Sequence, residues 1–310
     1  MSAIRKNSRK DITICTMLFK MPDAGNLAAL NGGNRSFEEF YLPSLKKLCE
    51  SFDHIALWCD SCTVEYLKAN GLADKVNMNV MEITELPHWA ERESYCQIMH
   101  SMKHNVGYFL HRRSPEMWTN YLPLMFAKAA VVDWAAKNNK FNSDYFMWMD
   151  GGAFSPKYAN SPLWDGWTGV IDAKPKRVRM TIAKTLGKSR PHYVPRFVYD
   201  LYKFLFGKPI LPANAERLVK QRLVDIAMVN ADYDVPGGCF MVPKELCCDF
   251  YAAFERARKI MKKHSLVCVD QGIFQAMMKL DTDDLFELKY ITGYQGLYAK
   301  VATGGYDILL

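Results

Sequence analysis

One acid stands out in this sequence as placed to do chemistry. Residues Ser143 to Phe154 read SDYFMWMDGGAF, an apolar run ending in Asp150 and followed by Gly151 and Gly152. A strand of an open α/β sheet delivers such a residue to the sheet's carboxyl edge, where ligands bind. A carboxylate there can hold a hard divalent cation, Mn2+ or Mg2+, which in turn grips diphosphate oxygens. Glycines directly after it let the backbone approach a bulky sugar with no Cβ in the way. Breaking a sugar–phosphate bond leaves negative charge on the diphosphate, and a cation must meet it. The same segment also reads as a plain turn at a strand end, and taken alone it leaves both readings open.

Other candidates are weaker. Asp270 follows the apolar Val267-Cys268-Val269 and begins a helical pattern, where it can serve as an N-cap or as a general base. Lys128 sits among Phe126, Ala127, Ala129 and Ala130, which points to a half-buried amine with a purpose. Asp232-Tyr233-Asp234 lies just before the paired glycines Gly237 and Gly238, while Asp281-Thr282-Asp283 reads as a solvated turn. His100 and His104 share a helix face without the Glu or third ligand of a zinc site. Arg112-Arg113 reads as a solvated loop able to clamp phosphate. No phosphate-binding G-x-x-x-x-G-K-[ST], no G-x-S-x-G and no G-x-G-x-x-G occurs.

The elements that position these residues follow from hydrophobic period and turn signals. Strands are expected at 12–19, 54–59, 77–83, into Asp150 at 143–149, at 237–242 and at 285–291. Helices are expected from Ser36, over 63–70 closed by Gly71, over 118–138 with Pro123 near its first turns, from Pro243 to Lys263, and from Asp270. Between Tyr158 and Val235 the pattern is basic and irregular, with helical pieces around 194–206 and 215–224. The opening β-α-β-α-β is half of a doubly wound sheet. No repeat, low-complexity tract or linker appears. The organisation expected is a polar, flexible 1–10 followed by one α/β domain over 11–310, with donor binding in 11–152 and acceptor binding in 153–310.

Composition bounds the partners. The chain has 310 residues, a net charge of +7, and 49% hydrophobic residues, ordinary for a protein with a large core. Its Lys and Arg are dispersed and no nucleic-acid-binding motif is present, so nucleic acid is not an expected partner. An anionic small ligand or peripheral contact with an anionic membrane fits the charge. The nine cysteines lack metal spacing and read as small buried hydrophobes in a reducing compartment. No apolar stretch approaches the ~20 residues of a bilayer span and no signal-peptide pattern is present, so a cytoplasmic location is expected.

The order of these segments resembles the HtrL/WlaTC glycosyltransferase family, of GT-A-like fold. That family has an Arg-Ser helix start, a Lys-bearing helix before a Trp-Ile-Asp-x-Gly strand, a Gly-Gly-x-Phe strand, and an Asp-Glu/Gln helix start. The matches here are Arg35-Ser36 with Glu39-Phe40-Tyr41, Lys128, Trp148-Met149-Asp150-Gly151-Gly152, Gly237-Gly238-Cys239-Phe240, and Asp270-Gln271. The strand also resembles the Trp-Met-Asp-Ser-Asp of galactosyl- and xylosyltransferases. The resemblance implies transfer from a nucleotide-sugar, by family habit a UDP-sugar, to a carbohydrate or glycolipid acceptor. It implies catalytic roles for Asp150 and Asp270, with Asp150 also the metal ligand. It implies donor binding by Arg35, Lys128, Asp150, Gly151, Gly152, Gly237, Gly238 and Gln271. Two departures stand out: the third position of the usual Asp-x-Asp is Gly152, and no His follows His264 to complete a metal site. Two rival readings are a sugar-phosphate nucleotidyltransferase, with Gly32-Gly33-Asn34-Arg35 a faint version of its loop, and an inactive sugar-binding protein.

Overall fold

In the computed structural model, the segment leading to Asp150 is the fourth strand of a mixed sheet. The structure describes residues 11–21, 35–101, 118–155, 161, 164, 174–184, 233–280, 285–292 and 297–303. Outside them lie 1–10, the whole Asp23–Asn34 loop, His104, Arg112-Arg113, Asp232, Asp281, Asp283 and the helical pieces expected around 194–206 and 215–224.

The described strands are β1 (Ile12–Leu18), β2 (Ile55–Cys59), β3 (Val76–Val80), β4 (Tyr145–Met149), β5 (Val178–Lys184), β6 (Tyr233–Asp234), β7 (Cys239–Pro243) and β8 (Phe286–Thr292). The described helices include α1 (Leu42–Ser51), α2 (Ser61–Ala69), α3 (Arg92–Ser101), α4 (Leu122–Lys137), α5 (Cys247–Lys263), α6 (Asp270–Lys279) and α7 (Leu297–Thr303). Ser36 caps a π-helical turn, Phe37–Tyr41, that leads into α1. The strand order is β3-β2-β1-β4-β7-β5-β6, with β8 beside β5. Strands β1 to β4 run parallel, and β7 lies antiparallel to β4 from Tyr145↔Pro243 to Met149↔Cys239. This is the doubly wound, mixed α/β sheet expected from the sequence.

β1 is buried along its whole length, as a parallel strand covered on both faces must be. The chain winds outward from β1 through β2 to β3 and then returns to the other side of β1 for β4. The carboxyl ends of β1 and β4 therefore border a topological switch point, where crossovers diverge and leave a crevice.

Alternation along the strands sorts the core into two faces. Cys15, Met17, Phe146, Trp148 and Phe240 join Phe126 of α4, Phe250 and Phe254 of α5 and Phe274 of α6 on one side. Ile14, Leu18, Met147, Met149 and Met241 pack with α1, α2 and α7 on the other. α4 is buried around most of its circumference, as a helix apolar on nearly all faces must be. Pro123 lies in its first turn, where a missing N–H is tolerated. Among the described residues, no helix is long and apolar enough to cross a membrane.

Several expectations are corrected. β5 lies where irregular chain was expected, paired along its length with β8. Pro243 ends β7 instead of starting a helix, and α5 begins at Cys247 after a tight turn, Lys244–Leu246. α3 runs from Arg92 to Ser101, where the sequence offers a helix only through the spacing of His100 and His104.

The turn before α3 is tied to α5 by charge. His88, in the left-handed region at φ 69°, places Nδ1 3.1 Å from Glu91 Oε1 and Nε2 2.8 Å from Glu255 Oε1. Arg258 reaches Glu255, Glu91 and the Tyr95 hydroxyl, and Lys262 reaches Glu91. Burial alone would raise both glutamates, but hydrogen bonds from Lys262 and His88 to Glu91, and from His88 and Arg258 to Glu255, hold each at about 2. A carboxylate with a lowered folded pKa adds stability above its unfolded value, and that stability is lost as pH falls through the folded one. Between pH ~4.5 and ~2 the melting temperature of Glu255→Gln should therefore fall less steeply than that of wild type. Parallel curves in thermal melts would exclude the clamp as an acid-sensitive element.

Candidate active site

A cleft of about 520 Å³ opens at the switch point, lined by the carboxyl ends of β1 (Met17, Leu18) and β4 (Trp148, Asp150) and by Lys128 of α4. Its size falls in the ~300–1,000 Å³ range of small-molecule and cofactor sites.

Strand parity decides what Asp150 meets. It follows Phe146 and Trp148 on the face covered by α4, and the middle of that helix carries Lys128. The Asp150 backbone extends the β4–β7 ladder, its N–H donating to the Gly238 carbonyl at 3.1 Å. A turn then closes with Ala153 N–H donating to the Asp150 carbonyl at 2.9 Å. Asp150 Oδ1 lies 2.9 Å from Lys128 Nζ and accepts from Trp148 Nε1, also at 2.9 Å. One carboxylate oxygen is thus fixed by two donors, while the side chain as a whole stays 44% exposed.

Lys128 is the centre of the arrangement. Its side chain is 3% exposed, and Nζ makes ion pairs with Asp150 Oδ1 at 2.9 Å and Asp270 Oδ2 at 2.7 Å. It also donates to the Gly237 carbonyl at 2.9 Å, and it lies 5.6 Å from the Trp148 ring centroid. An ammonium has three protons, and three oxygens surround this one. Burial alone would lower the Lys128 pKa, but Asp150 and Asp270 outweigh it and hold the amine above the ordinary lysine value. Asp270, 5% exposed, is pushed up by burial and pulled back by Lys128.

The capping role expected of Asp270 is corrected: Val269 is the N-cap of α6, and Asp270 is the first helical residue, turned toward Lys128. Asp270 and Gly237 lie behind Lys128, whereas Arg35, Lys128, Asp150, Gly151, Gly152, Gly238 and Gln271 line the cleft. Arg35 lies over the Phe40 ring at 5.3 Å. Of the further Asp-x-Asp candidates, only the backbone of Tyr233 and Asp234 is described, in β6. His100 lies at the end of α3. Trp148, Phe40 and Tyr41 enter the sequence analysis only as motif positions, with no site role; a polar-edged Trp two residues before Asp150 is a same-face signal that alternation offers.

The glycines are explained by what a Cβ would strike. At Gly151 it would lie 2.9 Å from the Met17 carbonyl oxygen, on backbone that cannot yield. At Gly152 it would lie 2.8 Å from Phe40 Cε1 and 3.3 Å from Tyr41 Cε1. At Gly237 it would lie 1.9 Å from Asp270 Oδ2, but at Gly238 it would make only ordinary contact, 3.4 Å from Asp150 Oδ2. Gly237→Ala should therefore cost about 1–3 kcal/mol in unfolding experiments by displacing Asp270, whereas Gly238→Ala should stay within about 1 kcal/mol of wild type. Equal losses at the two positions would contradict the close approach of Asp270.

No protein-family model matches the chain, and no curated protein matches it. The HtrL/WlaTC resemblance accordingly rests on motif order. Among solved structures, the crystal structure of mouse xyloside xylosyltransferase 1 in its apo form is similar at 14% identity with a TM-score of 0.38, covering 90% of this chain and 84% of that one.

Proposed function

We propose that the chain is a glycosyltransferase that moves a sugar from a nucleotide-sugar, a UDP-sugar, to a hydroxyl of a carbohydrate acceptor such as a surface glycan or glycolipid. The observation that carries this reading is the Asp150 carboxylate, anchored through one oxygen and presented at the switch-point cleft. In the reaction the acceptor oxygen bonds to the anomeric carbon as the bond from that carbon to the phosphate oxygen breaks. The bonding pair leaves on the diphosphate, which also takes the acceptor's proton. Asp150 orients the transferred sugar, Gly151 and Gly152 admit it, and Gln271 and Gly238 line its seat. Arg35, a guanidinium suited to paired phosphate contacts, meets the diphosphate. Lys128 and Asp270 position Asp150.

Asp270 reads from the sequence as an N-cap or, in an inverting enzyme, a general base; its carboxylate pairs with Lys128 at 2.7 Å and lies off the cleft lining, which favours a positioning role. Replacing a true base by Asn costs at least about a hundredfold in turnover. For a residue that only positions, Asp270→Asn should keep turnover within about tenfold of wild type. Turnover measured beside a melting curve separates these roles.

A panel of nucleotide-sugars tests the function. A ligand that binds only the folded state raises the melting temperature, and a transferase slowly releases nucleoside diphosphate from its donor without acceptor. We expect one UDP-sugar to do both. A donor that shifts the melt with no release even when acceptors are supplied would favour an inactive sugar-binding protein, a reading that the loss of the second acid at Gly152 also supports. Pyrophosphate released from UTP and a sugar phosphate would identify a nucleotidyltransferase, and no response to any nucleotide-sugar would overturn all three.

A further inference from the structure

We propose that this cleft works without a divalent cation: the Lys128 ammonium fills the oxygen cage a metal would need, and Asp150 meets the transferred sugar directly. The inference rests on the transferase reading and specifies how its site handles charge.

A metal held by Asp150 would need oxygen donors around it. The second carboxylate beside Asp150 is Asp270, and the nearby carbonyl is that of Gly237. All three oxygens already surround Lys128 Nζ at 2.7–2.9 Å. Metal–oxygen bonds of about 2.0–2.6 Å would put the ion on top of the nitrogen. The amine is held there by all three oxygens at once, on a side chain only 3% exposed. Among the described residues, no group of three or more His, Cys, Asp or Glu could hold a metal ion.

The second acid of an Asp-x-Asp is also shut out by packing. Position 152 faces Phe40, itself 5% exposed, and even a Cβ there would overlap its ring. The space a second carboxylate would occupy belongs to the turn before α1. Charge is supplied in another way. Lys128 is matched by Asp150 and Asp270, so the cation that meets the diphosphate is the guanidinium of Arg35, which lines the cleft. Asp150 Oδ1 is fixed by Lys128 and Trp148, so Oδ2 is the oxygen that accepts from a sugar hydroxyl.

Manganese alone is the first probe. Titrated against the chelator-treated protein and followed by electron paramagnetic resonance, Mn2+ should show no binding to wild type, and with UDP present no binding beyond that of a protein-free UDP control. Lys128→Ala, which empties the cage, should bind Mn2+, and its UDP affinity should rise about tenfold or more when Mn2+ is added. Because that variant can fail to fold, wild type carries a second measurement: UDP affinity and the rate of UDP release from the donor should be unchanged by chelator. Stoichiometric Mn2+ binding by wild type, or release abolished by chelator and restored by Mn2+, would overturn the inference and leave the transferase reading intact. If no nucleotide-sugar binds under any condition, that reading fails, and the Mn2+ titration of wild type still decides the cage.

Discussion

Asp150→Asn is expected to lower donor turnover by about a hundredfold or more, the scale of removing one well-placed polar contact at a reacting centre, while leaving the melting temperature close to that of wild type. The substitution is nearly isosteric. Its amide oxygen can still accept from Trp148 Nε1 and face Lys128 Nζ, both 2.9 Å from Asp150 Oδ1 in the native arrangement. The group that changes is the other one: an acceptor oxygen becomes an NH2 donor, which cannot take a proton-bearing sugar hydroxyl. Stability should hold because the native side chain is 44% exposed. The variant also brings Lys128 and Asp270 to a one-to-one charge match. UDP release and a melting curve on the same preparation provide the check. Wild-type turnover in a folded Asp150→Asn protein would remove Asp150 from the site.

Much of this site can be read in the chain, because period-two and capping signals are local. The run SDYFMWM brings Asp150 to a strand end, and the apolar neighbours of Lys128 mark an amine that is more than solvated. The meeting of Lys128 with Asp270 cannot be read, because it joins the middle of α4 to the first residue of α6 through tertiary packing. Gly237 illustrates the same limit. In sequence it looks like the flexible entry to a strand, whereas in the structure it is glycine because Asp270 occupies the space of a Cβ. β5 was missed because its VRMTIAK carries Arg179 and Lys184 within a basic stretch. Its pairing with β8 over seven residues, and the ion pair of Arg179 with Glu287, override that local polarity. The start of α3 is hidden for a related reason: RESYCQIMHS is polar on one face, and Glu91, just before it, is tied to Arg258 and Lys262.

Lys128→Met should be the most destabilising single change at the site. Removing one partner of a buried ion pair strands the other charge, at a typical cost of about 3–5 kcal/mol. Asp270, 5% exposed, is the group stranded. At about 2–4 °C per kcal/mol in chains near this size, the melting temperature should fall by about 10 °C. Two signatures separate this cause from simple loss of packing. Asp270 already has its pKa raised by burial against the pull of Lys128, so without the amine the folded state should hold a proton there that the unfolded state releases. A carboxylate with a raised folded pKa makes stability fall as pH rises from the unfolded toward the folded value. The deficit of Lys128→Met should therefore shrink as the solution is acidified, whereas a packing defect would not respond. The second signature is rescue. Adding Asp270→Asn to Lys128→Met removes the stranded charge, so the double variant should be more stable than Lys128→Met alone, with a coupling of about 1–3 kcal/mol between the positions. Additive losses with no pH dependence would show that Lys128 contributes volume only, and that Asp270 is neutralised in some other way.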